Sequence, residues 1–141
     1  MQHALLFLRR LTFACLVLGV AGCGSSSDQM ATSSVKGTVT YDGKPVTTGT
    51  VMFTPTGGGP PATGQIQPDG TYELKTYEEG DGAVLGEHKV TIIALDMGSG
   101  LPEDTAAEPK ALIPDKYGRD TTSGLTATVT DGENTIDFPL E

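Results

Sequence analysis

From Val35 onward apolar and polar residues alternate with a period of two, the spacing that sends successive side chains to opposite faces of a strand. "VKGTVTY" sets Val35, Gly37, Val39 and Tyr41 on one face, "TVMFT" joins Val51 to Phe53, and "TYELKT" joins Tyr72 to Leu74. "HKVTIIAL" aligns Val90, Ile92 and Ala94 and adds Ile93 and Leu95 on the other side, which predicts a strand covered on both faces. "LTATVT" contributes Leu125, Ala127 and Val129; "TIDFPLE" contributes Ile136, Phe138 and Leu140. A short strand around Ile66 brings the count to about seven, the number of a small sandwich, and no stretch carries a sustained helical period. The pattern therefore predicts an all-β chain folded as an about seven-stranded, Greek-key-like β-sandwich.

Turn chemistry agrees. "YDGKP", "QPDGTY" and "TDGEN" place Asp-Gly between apolar alternations, where both residues tolerate the positive φ of tight hairpins. Pro139 has no amide hydrogen to donate, so the last strand should lie at an edge or turn its amide side outward there. "LDMGSGLPEDTAAEP", 95–109, is too polar for a strand and too broken by Gly and Pro for a helix, and reads as a long loop.

The chain begins differently. Arg9 and Arg10 precede a run of apolar and small residues, Leu11 to Gly22, that ends "VAGC". As a helix this run covers about 18 Å of a hydrocarbon core about 30 Å thick, so it reads as the apolar region of a signal peptide and not as a spanning helix. Val20, Ala21, Gly22 and Cys23 resemble the lipobox of bacterial lipoproteins: a hydrophobic residue, two small ones, and the cysteine that becomes residue one. The resemblance implies cleavage between Gly22 and Cys23, a thioether-linked lipid on Cys23, and fatty acyl chains such as palmitate that hold the protein at a membrane, since two or three chains anchor stably where one does not. Gly24 stands where an Asp signals inner-membrane retention in some bacteria, so that analogy points to the outer membrane. The expected layout is a cleaved signal peptide at 1–22, a lipidated Cys23 with a Gly/Ser-rich flexible linker at 23–34, and the sandwich at 35–141. Cys15 leaves with the leader, so the sandwich itself has no cysteine for a disulfide.

Charge narrows the partners. The chain of 141 residues has 18 Asp and Glu against 9 Lys and Arg, and two of those nine are in the leader. Such an acidic excess repels phosphate backbones, so nucleic acid is not an expected partner. A cation remains open to it. Asp42, Asp69, Asp81 and Asp131 do not follow the spacing of a calcium loop and read as turn residues. Asp96, Glu103, Asp104 and Glu108 form the stronger cation candidate, within the long loop. "GDGAVLG" has one residue too many for a dinucleotide fingerprint and no βαβ unit around it, and "TGGGPP" lacks the Lys and Ser/Thr of a phosphate loop.

Nucleophilic catalysis needs a base, and the sequence after the leader has one histidine, His88. It is read on the face opposite Val90, as a surface strand residue and not a general base. No second His and no free Cys is present to complete a conventional zinc site. No catalytic constellation and no cofactor motif is visible, which leads to the expectation that the protein is not an enzyme.

Val35 to Leu140 resembles the transthyretin-like, carboxypeptidase regulatory-like β-sandwich domain found alone in small bacterial lipoproteins. The resemblance rests on "VKGTVTYDGKPVTTGTVMFTP", "GQIQPDGTYELKT", "GEHKVTI" and "LIPDKYGRDTTSGLTATVTDGENTIDFPL"; the last block, with Pro114, Lys116, Tyr117 and the Thr-Ser-Gly-Leu-Thr run, is the most telling. It implies a Greek-key-like sandwich (prealbumin-like) that is usually non-catalytic. Relatives that hydrolyse a purine-breakdown product use several histidines and a C-terminal Tyr-Arg-Gly-Ser motif, whereas this chain ends "DFPLE". The expected function is that of a membrane-anchored, non-enzymatic module of the cell envelope with a protein or glycan partner. Two alternatives stand beside it: a small-ligand or metal-binding protein using the 96–108 loop, and a hydrolase built on an Asp/Glu pair.

Replacing Cys23 by Ser is expected to abolish metabolic lipid labelling and leave the unprocessed precursor on a gel; a Cys23→Ser variant still labelled and matured at the same site contradicts the lipobox reading.

Overall fold

The computed structural model describes residues 28–98 and 109–141; the leader, Gly22, Cys23, Glu103, Asp104 and Glu108 lie outside the described residues. In chain order the first strands are β1 (Thr32–Ser33), β2 (Val35–Tyr41), β3 (Lys44–Pro45), β4 (Thr50–Pro55), β5 (Ala62–Gln65) and β6 (Thr71–Glu73). There follow β7 (Ala83–Val84), β8 (Gly86–Ile93), β9 (Leu95–Asp96), β10 (Lys110–Ala111), β11 (Leu125–Val129), β12 (Asn134–Thr135) and β13 (Phe138–Leu140). A 3₁₀ turn, Asp115–Gly118, lies between β10 and β11, and no helix among the described residues is long and apolar enough to cross a membrane. The protein is all-β, two main sheets packed as a β-sandwich.

One sheet runs β11-β8-β4-β5, antiparallel throughout. The other is built around β2, whose backbone groups alternate in direction. Its odd residues bond one side: the Val35 carbonyl accepts from Leu74 N–H, Val39 N–H donates to Gly70, and the Val39 carbonyl accepts from Val46. On the opposite side the Lys36 carbonyl accepts from Ile136 N–H at 2.8 Å. Thus β6 and β3 run antiparallel along one edge of β2, and β12 and β13 run parallel along the other. Two small ladders, β1 with β7 and β9 with β10, complete the pairing.

Between the sheets lies the core. Val35, Val39, Tyr72, Leu74, Phe138 and Leu140 come from the β2 sheet and meet Val51, Phe53, Ala62, Val90, Ile92, Ala127 and Val129 from the other. Phe138 joins the layers: its ring lies edge-on to Phe53 at 6.0 Å and stacks with Tyr72 at 6.1 Å. From the 3₁₀ turn the buried Tyr117 hydroxyl donates to the Glu141 carbonyl at 2.8 Å and accepts the Glu141 N–H at 3.1 Å, fixing the chain end.

The parallel ladder on β2 keeps one register from Asn134 to Leu140 but is broken at Ile136 and Asp137. There side chains take over from the backbone. The Asp137 carboxylate accepts both the N–H and the hydroxyl of Thr38 at 2.8 Å, and the Tyr72 hydroxyl donates to the Ile136 carbonyl at 2.6 Å. Burial, helped by the charge of Asp137, pushes the Tyr72 phenol well above its ordinary pKa, so it remains a donor. Gly37 makes this approach feasible, because a Cβ there would collide with the Ile136 carbonyl.

Three expectations change. β1 takes Thr32 and Ser33 into the fold, although both were read as linker; a Ser/Thr stretch carries no apolar alternation, and its place is set by pairing with Ala83 and Val84. Ile93 and Leu95 are 51% and 40% exposed, so among the described residues β8 is covered on its inner face only. The strands among the described residues are shorter and more numerous than the expected seven, because two-residue pairs such as β1, β7, β9 and β10 form where no alternation marks them and the C-terminal alternation is interrupted at Ile136 and Asp137. Asp42 and Gly43 do both adopt positive φ, 49° and 75°, as a type I′ hairpin requires, and Pro139 sits in β13, which pairs with β2 alone.

Gly37→Ala is expected to cost about 3 kcal/mol in urea unfolding, the upper range for overpacking against an atom that cannot move aside; a loss within about 0.5 kcal/mol contradicts this close approach.

Candidate functional site

Two of the Asp-Gly turns are closed by their own aspartates, and a third by an asparagine. At the β5–β6 turn Asp69 accepts from the Thr71 hydroxyl at 2.6 Å and the Thr71 N–H at 3.0 Å, and the hydroxyl first and the amide second hold its carboxyl below the usual range. Asp81 anchors the loop before β7 by accepting the amides of Thr76, Tyr77 and Glu78 at 2.7, 2.8 and 3.1 Å. Burial pushes its pKa upward, but the three amides together outweigh that and lower it. After β11, the Asn134 amide accepts Thr130 N–H at 3.0 Å and donates to the Thr130 carbonyl at 2.8 Å, standing in for a missing strand. Asp69 and Asp81 serve their turns, as the sequence predicts, whereas Asn134 is not singled out by it. Among the described residues no group of three His, Cys, Asp or Glu side chains is placed to hold a metal ion.

Of the acidic cation candidates only Asp96 is described. It ends β9, and its Oδ1 accepts the Gly98 N–H at 2.9 Å in a local turn.

His88 requires a correction. Residues two apart share a face of a strand, so His88 lies with Val90 and points inward. It is 1% exposed, with its ring 5.6 Å from Phe53. Nδ1 lies 3.0 Å from the Gly86 carbonyl, which can only accept, so Nδ1 carries the proton and Nε2 is left as a buried acceptor without a partner. Burial lowers the imidazole pKa, and the Gly86 bond opposes this only in part. The ring is thus a neutral core residue out of reach of a substrate. Parity of position was the signal that could have found it.

Two surface hollows were not foreseen. A polar cleft of about 590 Å³ runs along β5 and β6, walled by Lys36, Gln65, Thr71, Glu73 and Lys75, with Tyr72 and Gly64 also lining it. Lys75 is paired with Glu79 at its rim. Both signs of charge and several amide and hydroxyl groups meet there, a surface suited to hydrogen-bonding a polar partner. A smaller hollow of about 240 Å³ lies between the end of β8 and the 3₁₀ turn, lined mainly by Ile93, Leu95, Ala111 and Ile113, with Asp115 and Arg119 also on its wall. The residues of each hollow come from separate stretches of the chain, and no local spacing marks them.

No protein-family model matches the chain, and no curated protein matches it. Among solved structures it is similar to the crystal structure of a DUF3823 family protein from Parabacteroides merdae ATCC 43184 at 1.80 Å resolution. The two share 14% identity at a TM-score of 0.41, over 79% of this chain and 46% of that one. The chain thus spans about half the length of that protein.

Because the folded pKa of His88 is depressed, the unfolded chain binds a proton first as pH falls below about 6.5. Stability is then full above that pH and is lost below it, by at most about 1.4 kcal/mol per pH unit. The carboxylates Asp69 and Asp81 add a separate loss below about pH 4. Urea titrations of wild type and His88→Leu between pH 7 and 5 should differ in slope, the variant being flatter; equal slopes contradict a neutral, buried His88.

Proposed function

We propose that the protein is a membrane-anchored, non-enzymatic lipoprotein of the cell envelope, held through a lipid on Cys23, whose transthyretin-like, carboxypeptidase regulatory-like sandwich serves as a binding or structural module. The observation that carries this reading is how the chemically capable side chains are used. His88 is locked in the core, and Asp69, Asp81 and Asp137 are bonded to the backbone. What the surface offers instead is the polar cleft along β5 and β6, a place for contact without an activated nucleophile.

The anchor and the sandwich are close. With Thr32 already in β1, the linker after Cys23 reduces to Gly24–Ala31, which reaches about 26 to 29 Å when extended. That length lets the module stand just above a headgroup layer while keeping its partner near the membrane. A protein or a glycan of the envelope fits the mixed hydrogen-bonding character of the cleft. The acidic excess leaves nucleic acid as an unsuitable partner.

Cross-linking of the full chain in solubilised membranes should capture a specific protein or glycan, and Lys75→Glu with Gln65→Ala should reduce capture at least fivefold. Recovery of a partnerless monomer that turns over a compound from a substrate panel overturns the proposal.

A further inference from the structure

Four aspartates of the chain stand directly before a glycine: Asp42, Asp69, Asp81 and Asp131. That dipeptide carries a chemistry of its own, because a glycine leaves the backbone nitrogen behind the aspartate unshielded by a Cβ. The nitrogen attacks Cγ of the protonated side-chain carboxyl and gives up its proton; the hydroxyl leaves with that proton as water, and a five-membered succinimide closes. Water then opens the ring at either carbonyl. Cleavage of the new N–Cγ bond restores aspartate, whereas cleavage of the older main-chain N–C bond leaves isoaspartate, with the chain running through Cβ and Cγ and the α-carboxylate set free. No oxidant, cofactor or second protein enters the balance.

Ring closure needs an unengaged carboxyl, an unengaged glycine N–H and a peptide plane that can turn, and the fold grants these unequally. Asp69 is held by the hydroxyl and amide of Thr71, and the Gly70 N–H donates to the Gln67 carbonyl at 2.8 Å. Asp81 accepts three amides, and the Gly82 N–H donates to the Leu74 carbonyl at 3.1 Å. Both carboxyl groups are also held below the usual range, which keeps them as carboxylates with no hydroxyl to lose. Asp42 has an unengaged carboxylate among the described residues, but its own N–H donates to the Leu140 carbonyl at 3.2 Å, and the paired residues Tyr41 and Lys44 clamp its two-residue turn from both sides.

Asp131 differs. β11 ends at Val129 and β12 begins at Asn134, whose side-chain amide fixes Thr130 at the start of the connection. Between them Asp131 and Gly132 are exposed, and among the described residues neither the Asp131 carboxylate nor the peptide joining it to Gly132 makes a hydrogen bond. The Gly132 carbonyl accepts from the Asn134 amide at 3.1 Å, but it belongs to the next peptide and leaves this one able to turn. We propose that Asp131-Gly132 is a site of spontaneous isoaspartate formation in the folded protein, with Asp69 and Asp81 protected by their turns and Asp42 slowed by its hairpin. Breaking one hydrogen bond before closure slows a site roughly two- to tenfold. Asp69 and Asp81 must each break a bond at the nitrogen and others at the carboxyl, so they should fall at least tenfold behind. The isomer adds one methylene to the main chain inside the loop that Asn134 clamps, which loosens the cap on Thr130 and with it the passage from β11 to β12.

The full chain, aged for weeks at neutral pH either folded in detergent or unfolded in guanidinium chloride and then digested, tests this by mass spectrometry that separates isoaspartyl from aspartyl peptides. Each site's folded rate is divided by its unfolded rate, which removes the influence of neighbouring side chains. The ratio at Asp131 should exceed those at Asp69 and Asp81 at least tenfold, and should exceed that at Asp42. Thr71→Val, which removes the hydroxyl bond to Asp69, should raise the ratio at Asp69 at least twofold and leave Asp131 as in wild type. A margin over Asp69 or Asp81 below tenfold, a ratio at Asp42 equal to or above that of Asp131, or a Thr71→Val variant with the wild-type ratio at Asp69 overturns the proposal.

Discussion

The sandwich depends on a strand used on both sides. Along β2 the odd residues bond β6 and β3 while the even residues bond the C-terminal stretch, so seven residues tie together segments about 100 positions apart. Because strand geometry has a period of two, a slip of one residue would exchange the two partners and expel Val35 and Val39 from the core at once. That double constraint explains why the approach at Gly37 is so close. Closing the loop from β2 to β13 carries an entropic cost that grows slowly with length. It is offset where Tyr72, Asp137 and Tyr117 add side-chain bonds around the returning chain.

The same economy shapes the chemistry. Asp69, Asp81, Asp137 and Asn134 each accept backbone amides, and the tyrosine hydroxyls of Tyr72 and Tyr117 donate to backbone carbonyls. A small sandwich without a cysteine in its core has few other ways to satisfy backbone groups where its ladders break, since a buried polar group without a partner costs about 1 to 3 kcal/mol. These polar side chains are thereby taken up by turns and by the returning C-terminal stretch. Beside these turns the surface holds the polar cleft along β5 and β6.

Much of this is legible in the sequence, and for identifiable reasons. Val35, Val39, Val51, Phe53, Leu74, Val90 and Phe138 are buried where alternation puts them, and Asp42 with Gly43 forms the hairpin that the dipeptide predicts. Those features are local. The errors arise where a neighbour decides the outcome. Ile93 and Leu95 stay exposed because no layer among the described residues covers them, and Thr32 and Ser33 form a strand because β7 lies beside them. His88 is buried by strand parity against its polar character. The cleft joins residues from β2, β5 and β6, a juxtaposition that no spacing along the chain encodes.

Native-state hydrogen exchange measures the central claim about β2 most directly. If β2 binds both halves of the sandwich, the amides of Val39, Leu74 and Ile136 on its two sides should exchange only through global unfolding, with the free energy measured by urea. Exchange of Ile136 through a local opening well below that value, while Val51 and Val90 remain protected, would contradict it.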